Sequence, residues 1–412
     1  QITAGYTLAA TGLWMASEGV LTPSGSPDDR ELNTTVNRPR GWQPESIKIR
    51  RGTNKETGEP IYTYVSINKA DPFGLMLITY ANMYELFTAE PEGGEQEKSG
   101  LLVRAAFAAI NTLINRSYAK SAKDFIYALT TDEDTLTDWA VRQAATLTTP
   151  YGVLGNDIRR TMDPAITEAY DAVEEYRQRS WIGAAVLGDA PPKYNALGEP
   201  AFRWNPQSPG LTPYTNLINP FLVTHDMGDP VLAEFARVGL GSKPGTVYQG
   251  VELDSFPGPE GFELNAWHYM VQQKGAMTLS AHDLGLGARG EMLTQRQALM
   301  RVIEDDRYQK LSYEINPKTG VSHRYALLKK VQNAYENAAR NLMLSKCPEV
   351  RVALGEQEIG AANYMRDEAM RLNPDNPQIP VADQRIKEAQ GQLKTLGDQD
   401  VFDKLLQGQG GN

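Results

Sequence analysis

The chain has 412 residues, enough for two or three domains, and its 41% hydrophobic and 22% charged residues are typical of a globular protein. Its formal net charge of −10 and pI near 5.1 argue against a protein that coats nucleic acid, because phosphate binding needs a concentrated positive surface. The single cysteine, Cys347, excludes an internal disulfide framework and a cysteine-ligated zinc site. With only four histidines as well, we expect no metal and no other cofactor.

The first segment, 2–17, has the pattern of an uncharged helix, but it is shorter than the roughly 20 residues that a membrane span needs. No basic segment precedes it, so its pattern is not that of a signal peptide. Because the first residue is Gln1 rather than methionine, we expect the chain to be the ordered portion of a longer protein.

The most strongly patterned stretch begins at Arg40. Two runs of alternating β-branched, aromatic and polar residues are separated by a turn rich in Gly, Asn and Pro, which predicts a β-hairpin over about 46–67. The dipeptide Asp71-Pro72 then supplies a helix cap and a proline at the first helical position. Few polar residues interrupt the helix predicted over 73–87, so we expect it to be buried on most sides.

The remaining pattern is mainly helical, with one further hairpin. The turn signal Asn316-Pro317-Lys318-Thr319-Gly320 predicts a second hairpin over about 311–325. The dipeptide Asp163-Pro164 repeats the capping signal and predicts a helix from residue 165. Helices are predicted over 101–118, 123–129, 136–147, 165–179, 262–273, 291–308, 326–345, 356–372 and 381–406.

A proline-rich segment over 187–260 separates the helical regions. It holds 11 of the 25 prolines, so we expect it to form no regular helix. Its scattered apolar residues instead predict an ordered extended arm that clasps other surfaces, including another subunit; its expected anchors are Trp204, Tyr214, Phe221 and Phe235. We therefore divide the chain into a hairpin-plus-helix domain (1–186), this arm (187–260) and a helical region (261–412).

Motifs that carry chemistry are weak in this sequence. Residues 285–290 satisfy G-x-G-x-x-G, but the segment before them does not have the pattern of the buried strand that a dinucleotide site requires. The adjacent pairs His225-Asp226 and His282-Asp283 lack further ligands at metal-binding spacing. Cys347, near a predicted helix end, is interpreted as a small packing residue. We predict no catalytic and no metal-binding residue.

Positively charged residues are concentrated around the start of the hairpin, both before it and along its first strand. Lys48 and Arg50 have the same parity on the first strand, so we expect them to line one exposed face while Ile47 and Ile49 pack inward. Such a face is either simply solvated or contacts DNA or anionic lipid. Its members are Arg38, Arg40, Lys48, Arg50, Arg51 and Lys55.

The hairpin region resembles a domain near the C-terminal end of large internal virion proteins, the ejection proteins of short-tailed bacteriophages, and of related large polyvalent phage proteins. The shared pattern is a Gly/Ser-rich loop with an acidic pair (24–29), a G-[WN]-x-P-x-S-I strand, a returning strand and a D-P helix. It covers about residues 10–129, and its motifs are structural. Its matching residues are Gly41, Trp42, Pro44, Ser46, Asp71, Pro72 and Phe73.

The resemblance implies a mainly α, helical bundle-like ring subunit that is packed in the virion and then expelled into the host envelope. There it would form a homo-oligomeric ring or tube, with other ejection, portal or tail proteins as partners. Double-stranded DNA would pass through this assembly. Whether the subunit also contacts the host membrane is left open. Two alternatives remain: a tail tape-measure or other elongated tail component, and a hydrolase that uses one His-Asp pair. For this region we expect no enzymatic activity; whether an upstream region carries an enzyme is left open by the sequence.

Overall fold

The computed structural model describes most of the chain outside a long central gap. The described residues are 2–24, 30–54, 58, 60–67, 70, 73–88, 158–159, 162–169, 172–204, 214, 216, 222–241, 243–317, 319–372 and 376–392. The helices predicted between 101 and 147 lie outside them, as do Lys55, Asp71, Pro72 and Phe221.

The prediction of a mainly α chain with small antiparallel sheets is confirmed. The helices are α1 Ile2–Ser17, α2 Arg30–Leu32 (which continues into a π-helical turn, Asn33–Asn37), α3 Phe73–Thr88, α4 Ala172–Arg179, α5 Trp181–Leu187, α6 Pro230–Val238, α7 Ala266–Ala276, α8 Gln295–Glu304, α9 Asp306–Gln309, α10 His323–Lys346, α11 Pro348–Leu372 and α12 over 378–392. The strands are β1 Leu21–Thr22, β2 Ser46–Thr53, β3 Pro60–Ser66, β4 Val223–His225, β5 Val247–Tyr248, β6 Val251–Glu252, β7 Thr278–Ser280 and β8 Met292–Thr294.

The chain forms two compact units. The first comprises Gln1–Ser242 with Ser312–Tyr325, and the second comprises Lys243–Leu311 with Ala326–Asn412. The proline-rich segment therefore contributes to both units, so the three-segment division made from the sequence does not coincide with this grouping and stays a prediction.

The first unit contains the predicted hairpin, extended into a four-stranded antiparallel sheet with the order β1-β2-β3-β4. Its short first strand pairs Leu21 with Ile47. Helices α1 and α3 cover one face, where Leu21, Ile67 and Ile78 form a small buried core. The β-branched and aromatic alternation that predicted β2 and β3 is thus realised, because one face has helices to pack against.

Helix α3 is less buried than its composition predicts, which corrects the expectation of a helix covered on most sides. Among its described side chains, the buried positions are Gly74, Ile78, Ala81 and Asn82, and the spacing i, i+4, i+7, i+8 places them on a single stripe. Phe73 is 59% exposed. The apolar residues outside the stripe are therefore only partly covered by the described residues.

The region after Asp163-Pro164 is extended rather than helical, so the helix predicted from residue 165 is wrong at its start. The Asp163 side chain accepts a hydrogen bond from the Ala165 amide at 2.9 Å, as a cap would. Ile166 then donates its amide to the Ala201 carbonyl and accepts from the Lys193 amide at 2.7 Å. These long-range backbone bonds outcompete local helix propensity, and the helix, α4, begins only at Ala172.

The proline-rich segment packs within this chain. Trp204 is 9% exposed and Phe235 is fully buried, so these two predicted anchors are covered by the chain itself, whereas Tyr214 is exposed. The segment also supplies β4, which pairs with β3 at Val65, Tyr64 and Thr63. Contrary to expectation it holds a regular helix, α6, because Asp229 caps the amides of residues 231 and 232 and Pro230 occupies the first helical position.

The predicted second hairpin is reduced to its turn. Thr319 and Gly320 donate their amides to the Asn316 carbonyl, and one isolated bridge joins Ile315 to Ser322. The returning strand does not form because α10 begins at His323.

A buried ion pair attaches this turn segment to the first unit. The guanidinium of Arg324 donates to the Glu234 carboxylate at 3.0 Å, and both side chains are at most 5% exposed. The Tyr313 hydroxyl lies 2.7 Å from the guanidinium and donates to the same carboxylate at 3.0 Å. A buried carboxylate with several charge-assisted partners is expensive to expose alone, so the cluster ties 312–325 to α6.

The second unit is built around α7, α8 and α10. The boundaries of α8 are set by a capping box in which Thr294 and Gln297 exchange side-chain and backbone bonds, so the helix starts four residues later than predicted. The unpredicted hairpin β7–β8 precedes it, and the buried Tyr335 on α10 donates its hydroxyl to the Leu293 carbonyl. Burial raises the pKa of Tyr335 to about 12.

Helices α11 and α12 run antiparallel as a helical hairpin. Arg366 lies 3.7 Å from Asp383, and Arg385 lies 3.8 Å from Glu358. In this register the buried alanines of the two helices oppose each other; they are Ala362 with Ala389 and Ala369 with Ala382. Small residues at this heptad-like spacing allow the two backbones to approach closely.

Candidate functional site

The motif that carries the family resemblance is a tight tertiary junction. Gly41 has φ +99°, and a Cβ there would overlap the His225 carbonyl oxygen. Thr224 of β4 donates its hydroxyl to the Gly41 carbonyl at 2.8 Å and to the Gln43 amide oxygen at 3.2 Å. Only glycine fits this position, because both the conformation and the space exclude a side chain. Gly41 therefore lets the loop before β2 lie directly on β4.

The other described motif residues complete the same junction. Ser46 is fully buried and donates its amide to the Thr22 hydroxyl at 2.9 Å, which joins β1 to β2. Trp42 and Pro44 are half-buried in the loop. Beyond the sheet, a Cβ on Gly74 would overlap the Ile67 carbonyl oxygen, so the first turn of α3 also lies against the end of β3. The motif thus has a structural role.

The hairpin has the predicted parity, and Ile47 and Arg50 lie as predicted, inward and exposed, but Lys48 and Ile49 do not. Lys48 is half-buried beside Tyr62 and the buried Tyr64, whereas Ile49 is 51% exposed. The ammonium of Lys48 lies 4.0 Å from the centre of the Tyr62 ring. Burial, with the Arg40 charge second, lowers the pKa of Lys48. Only Ile47 packs inward, against the α1–α3 core.

A segment that the sequence did not identify covers Lys48. Asp226 follows β4 and forms an ion pair with Arg40 at 3.2 Å. The Met227 amide donates to the Arg40 carbonyl at 2.9 Å, so the two chain segments lie side by side over the Lys48 face. Because residue 226 is far away in sequence, strand periodicity carries no signal for this cover.

The predicted basic face is consequently divided. Arg40 and Lys48 lie on the covered side, while Arg38, Arg50 and Arg51 are exposed. A β-bulge between Arg50 and Gly52 makes Arg51 the extra residue of β2. The bulge breaks the strand alternation, so two exposed arginines follow each other in the outer part of the hairpin.

The two adjacent His-Asp pairs differ in whether the histidine contacts its neighbouring aspartate. His225 contacts the Thr63 hydroxyl through Nδ1 at 2.9 Å, while Asp226 turns to Arg40. Burial lowers the pKa of His225, and the Arg51 charge lowers it further. In the other pair, Nδ1 of His282 lies 3.3 Å from Asp283, with both side chains about half or more exposed.

The glycine-rich loop over 285–290 is a structural turn between β7 and β8. Arg301 forms a two-pronged ion pair with Glu291, at 2.6 and 2.8 Å, and donates to the Leu286 carbonyl at 3.2 Å. A Cβ on Gly287 would lie within 2.8 Å of both charged groups. The antiparallel pairing of β7 with β8 also excludes the βαβ unit of a dinucleotide site here, as the sequence predicted.

A nearly uncharged, partly exposed surface lies on α1 and α3, where Glu85 is the single charged residue. Helix α1 has no charged residue, and Gly12 allows it to approach α3 so closely that a Cβ would lie 3.0 Å from Tyr80. Away from this contact, Trp14 is 60% and Phe73 59% exposed. Helix composition predicted apolar packing, but it could not show which residues remain uncovered.

Two other kinds of site are absent from the described residues, a membrane-spanning helix and a cluster of metal ligands. None of the described helices is long and apolar enough to cross a membrane. In the same part of the chain, no three His, Cys, Asp or Glu side chains cluster in a way that could hold a metal ion.

Comparison with known proteins gave no match: no protein-family model, no curated protein and no solved structure is significantly similar to this chain.

Proposed function

We propose that this chain is a structural subunit of a phage ejection apparatus, which assembles with copies of itself into a ring or tube in the host envelope for genome delivery. The proposal starts from the resemblance of the hairpin region to internal virion proteins. According to this proposal, the bundle-like subunit is first packed inside the virion, and after ejection it becomes part of a conduit in the host envelope. Portal, tail or other ejection proteins would be its neighbours, and double-stranded DNA would pass through transiently.

The observation that carries the proposal is the nearly uncharged surface of α1 and α3. Trp14 and Phe73 expose more than half of their surface, on helices that contain a single charged residue, Glu85. Exposed aromatic residues on apolar helices favour contact with another subunit or with lipid, because their burial there removes apolar area from water.

The nature of the motif supports a structural role. Gly41 and Gly74 are required for close backbone approach, and Ser46 joins two strands. None of these residues holds a nucleophile or a proton-transfer group in an accessible cleft. For the alternative of a hydrolase that uses a His-Asp pair, His225 and Asp226 turn to different partners, and the pair that is in contact, His282 with Asp283, lies exposed on the surface.

A tail tape-measure component is the second alternative, and helix length bears on it. Such proteins would need long uninterrupted heptad helices, whereas the longest described helix, α11, has 25 residues and folds back on α12. The subunit of a closed assembly therefore agrees better with the described residues.

The first experiment is the mass and symmetry of the purified chain, by light scattering and single-particle imaging, with and without liposomes. We expect a closed ring or tube with an axial channel in at least one condition. A monomer at all concentrations, both with and without liposomes, would contradict self-assembly.

A further inference from the structure

The outer part of the β2–β3 hairpin is an exposed basic ribbon, defined here as Ile49–Thr53 with Pro60–Tyr62. Every residue from 49 to 53 is exposed, and the bulge presents Arg50 and Arg51 in succession. The only side-chain partner of Arg50 is the Thr53 hydroxyl at 3.3 Å, and among the described residues neither arginine forms an ion pair with a carboxylate. Ile49 adds an exposed apolar side chain beside these charges.

The second unit carries a groove of complementary character. It lies between the β6 region and α11, has a volume of about 420 Å³, and has apolar walls that include Val251, Phe256 and Ala353. Two exposed carboxylates, Glu252 and Glu356, also line it, and within the described residues neither forms an ion pair. The groove is open to solvent, so a side chain that protrudes from another molecule can reach its walls.

We infer that the basic ribbon of one copy docks in this acidic groove of a neighbouring copy. Two arginines would meet two carboxylates, while Ile49 would cover the apolar walls. A contact between two different surfaces is heterologous, and repeated around an axis it closes a ring. The inference rests on the proposed function and specifies the subunit contact that the proposed assembly needs.

Charge favours a second copy over DNA as the partner of the ribbon. The chain carries a net charge of −10, so copies repel one another except where a basic segment meets an acidic one. DNA binding is driven mainly by many phosphate contacts, whereas the ribbon offers two described arginines and an apolar side chain that phosphate would leave unused.

Charge reversal in the full chain tests the contact. One variant is Arg50→Glu/Arg51→Glu, and the other is Glu252→Arg/Glu356→Arg. We expect each alone to self-associate at least about tenfold more weakly than the wild type, because like charges then meet. An equimolar mixture should recover association with the two variants alternating, and a chain with all four changes should recover it alone. Unchanged association of both single-side variants would overturn the inference while leaving self-assembly intact.

A cross-link keeps the inference testable if the wild type does not form a stable ring. Mixing Arg51→Cys chains with Glu356→Cys chains under oxidising conditions should give a disulfide-linked heterodimer, even for a weak contact. The matched control is Arg38→Cys, at an exposed arginine outside the ribbon. Mixed with Glu356→Cys chains, it should give at least about tenfold less disulfide-linked heterodimer. Cross-linking with a monomeric wild type would support this contact and contradict the proposed ring, whereas no preferential cross-link would overturn the contact.

A duplex-binding measurement covers the competing partner. A 30-base-pair DNA should bind the wild type and the Arg50→Glu/Arg51→Glu variant equally. If the variant loses DNA binding but keeps self-association, the ribbon is a nucleic-acid surface and the inference is wrong.

Discussion

Several single residues in this protein matter because they allow two backbone segments to lie close together. Gly41 permits the loop before β2 to lie on β4, and its neighbour in space, His225, is held between Thr63 and the charge of Arg51. Both positions belong to the junction that joins the hairpin to the segment after residue 222. Substitutions there test whether this junction supports the first unit.

Replacing Gly41 by alanine should destabilise the chain by about 2 kcal/mol or more, because the new Cβ meets the His225 carbonyl at a positive φ. Gly52→Ala is the matched control on the same hairpin, with no atom within 4 Å of its Cβ, and should change stability by less than about 0.5 kcal/mol. Urea unfolding measures both. Equal unfolding midpoints for the two variants would show that the close approach is unimportant.

The His225 imidazole should titrate below its ordinary pKa of about 6.5, measured by NMR and assigned with His225→Asn. Arg51→Gln should raise this pKa only in part, because burial is the larger cause, and Arg50→Gln should leave it unchanged. Because folding lowers the pKa of this imidazole, the unfolded chain binds the proton at a higher pH than the folded chain does. The titration of His225 therefore has no effect on stability well above pH 6.5, and the folded state loses stability as the pH falls through that value.

At the scale of elements, the same sequence signal had different outcomes according to its tertiary partners. Asp229-Pro230 starts a helix, whereas Asp163-Pro164 precedes an extended segment that pairs with residues 193 and 201. The parity of β2 was predictable because side chains must alternate. Which face would be covered was not predictable, because the cover over Lys48 includes Asp226, which is far from it in the sequence and pairs with Arg40.

The junction itself was only partly accessible from the sequence. The hairpin, the helix after it and the structural nature of the motif follow from local patterns. The bulge at Arg51 and the groove beside α11 depend on strand registration and on packing between distant segments, which composition does not encode.

The helical hairpin of α11 and α12 offers a test of element packing. Ala362→Leu should destabilise it by about 1–3 kcal/mol, because the added methylenes have no space against the opposing Ala389. Ala361→Leu, one position away on the exposed side, should be within about 0.5 kcal/mol of wild type. Thermal unfolding followed by circular dichroism compares them. A similar loss in both variants would indicate that the alanine seam does not hold the helices together.

For the whole molecule, the uncovered apolar residues should govern association rather than stability. Trp14→Ser/Phe73→Ser should reduce self-association or liposome flotation severalfold, with an unfolding free energy within about 0.5 kcal/mol of wild type, because both side chains are largely exposed. Val186→Ser, at 74% exposure on α5, is the control and should change neither property. Unaltered association and flotation of the double variant would remove the main support for the proposed conduit.

The ion pair between Glu234 and Arg324 also has a consequence for synthesis on the ribosome. Its two partners are 90 residues apart in sequence, and residues 243–311 of the second unit lie between them. At ~5–20 residues per second, Glu234 is made roughly 5 to 20 s before Arg324. For most of that time the Glu234 carboxylate has the guanidinium of Arg237, which donates to it at 3.0 Å within α6, but neither Arg324 nor the Tyr313 hydroxyl. The first unit therefore completes its folding only after much of the second has been translated, and a fragment ended at residue 242 would keep that carboxylate without these two partners.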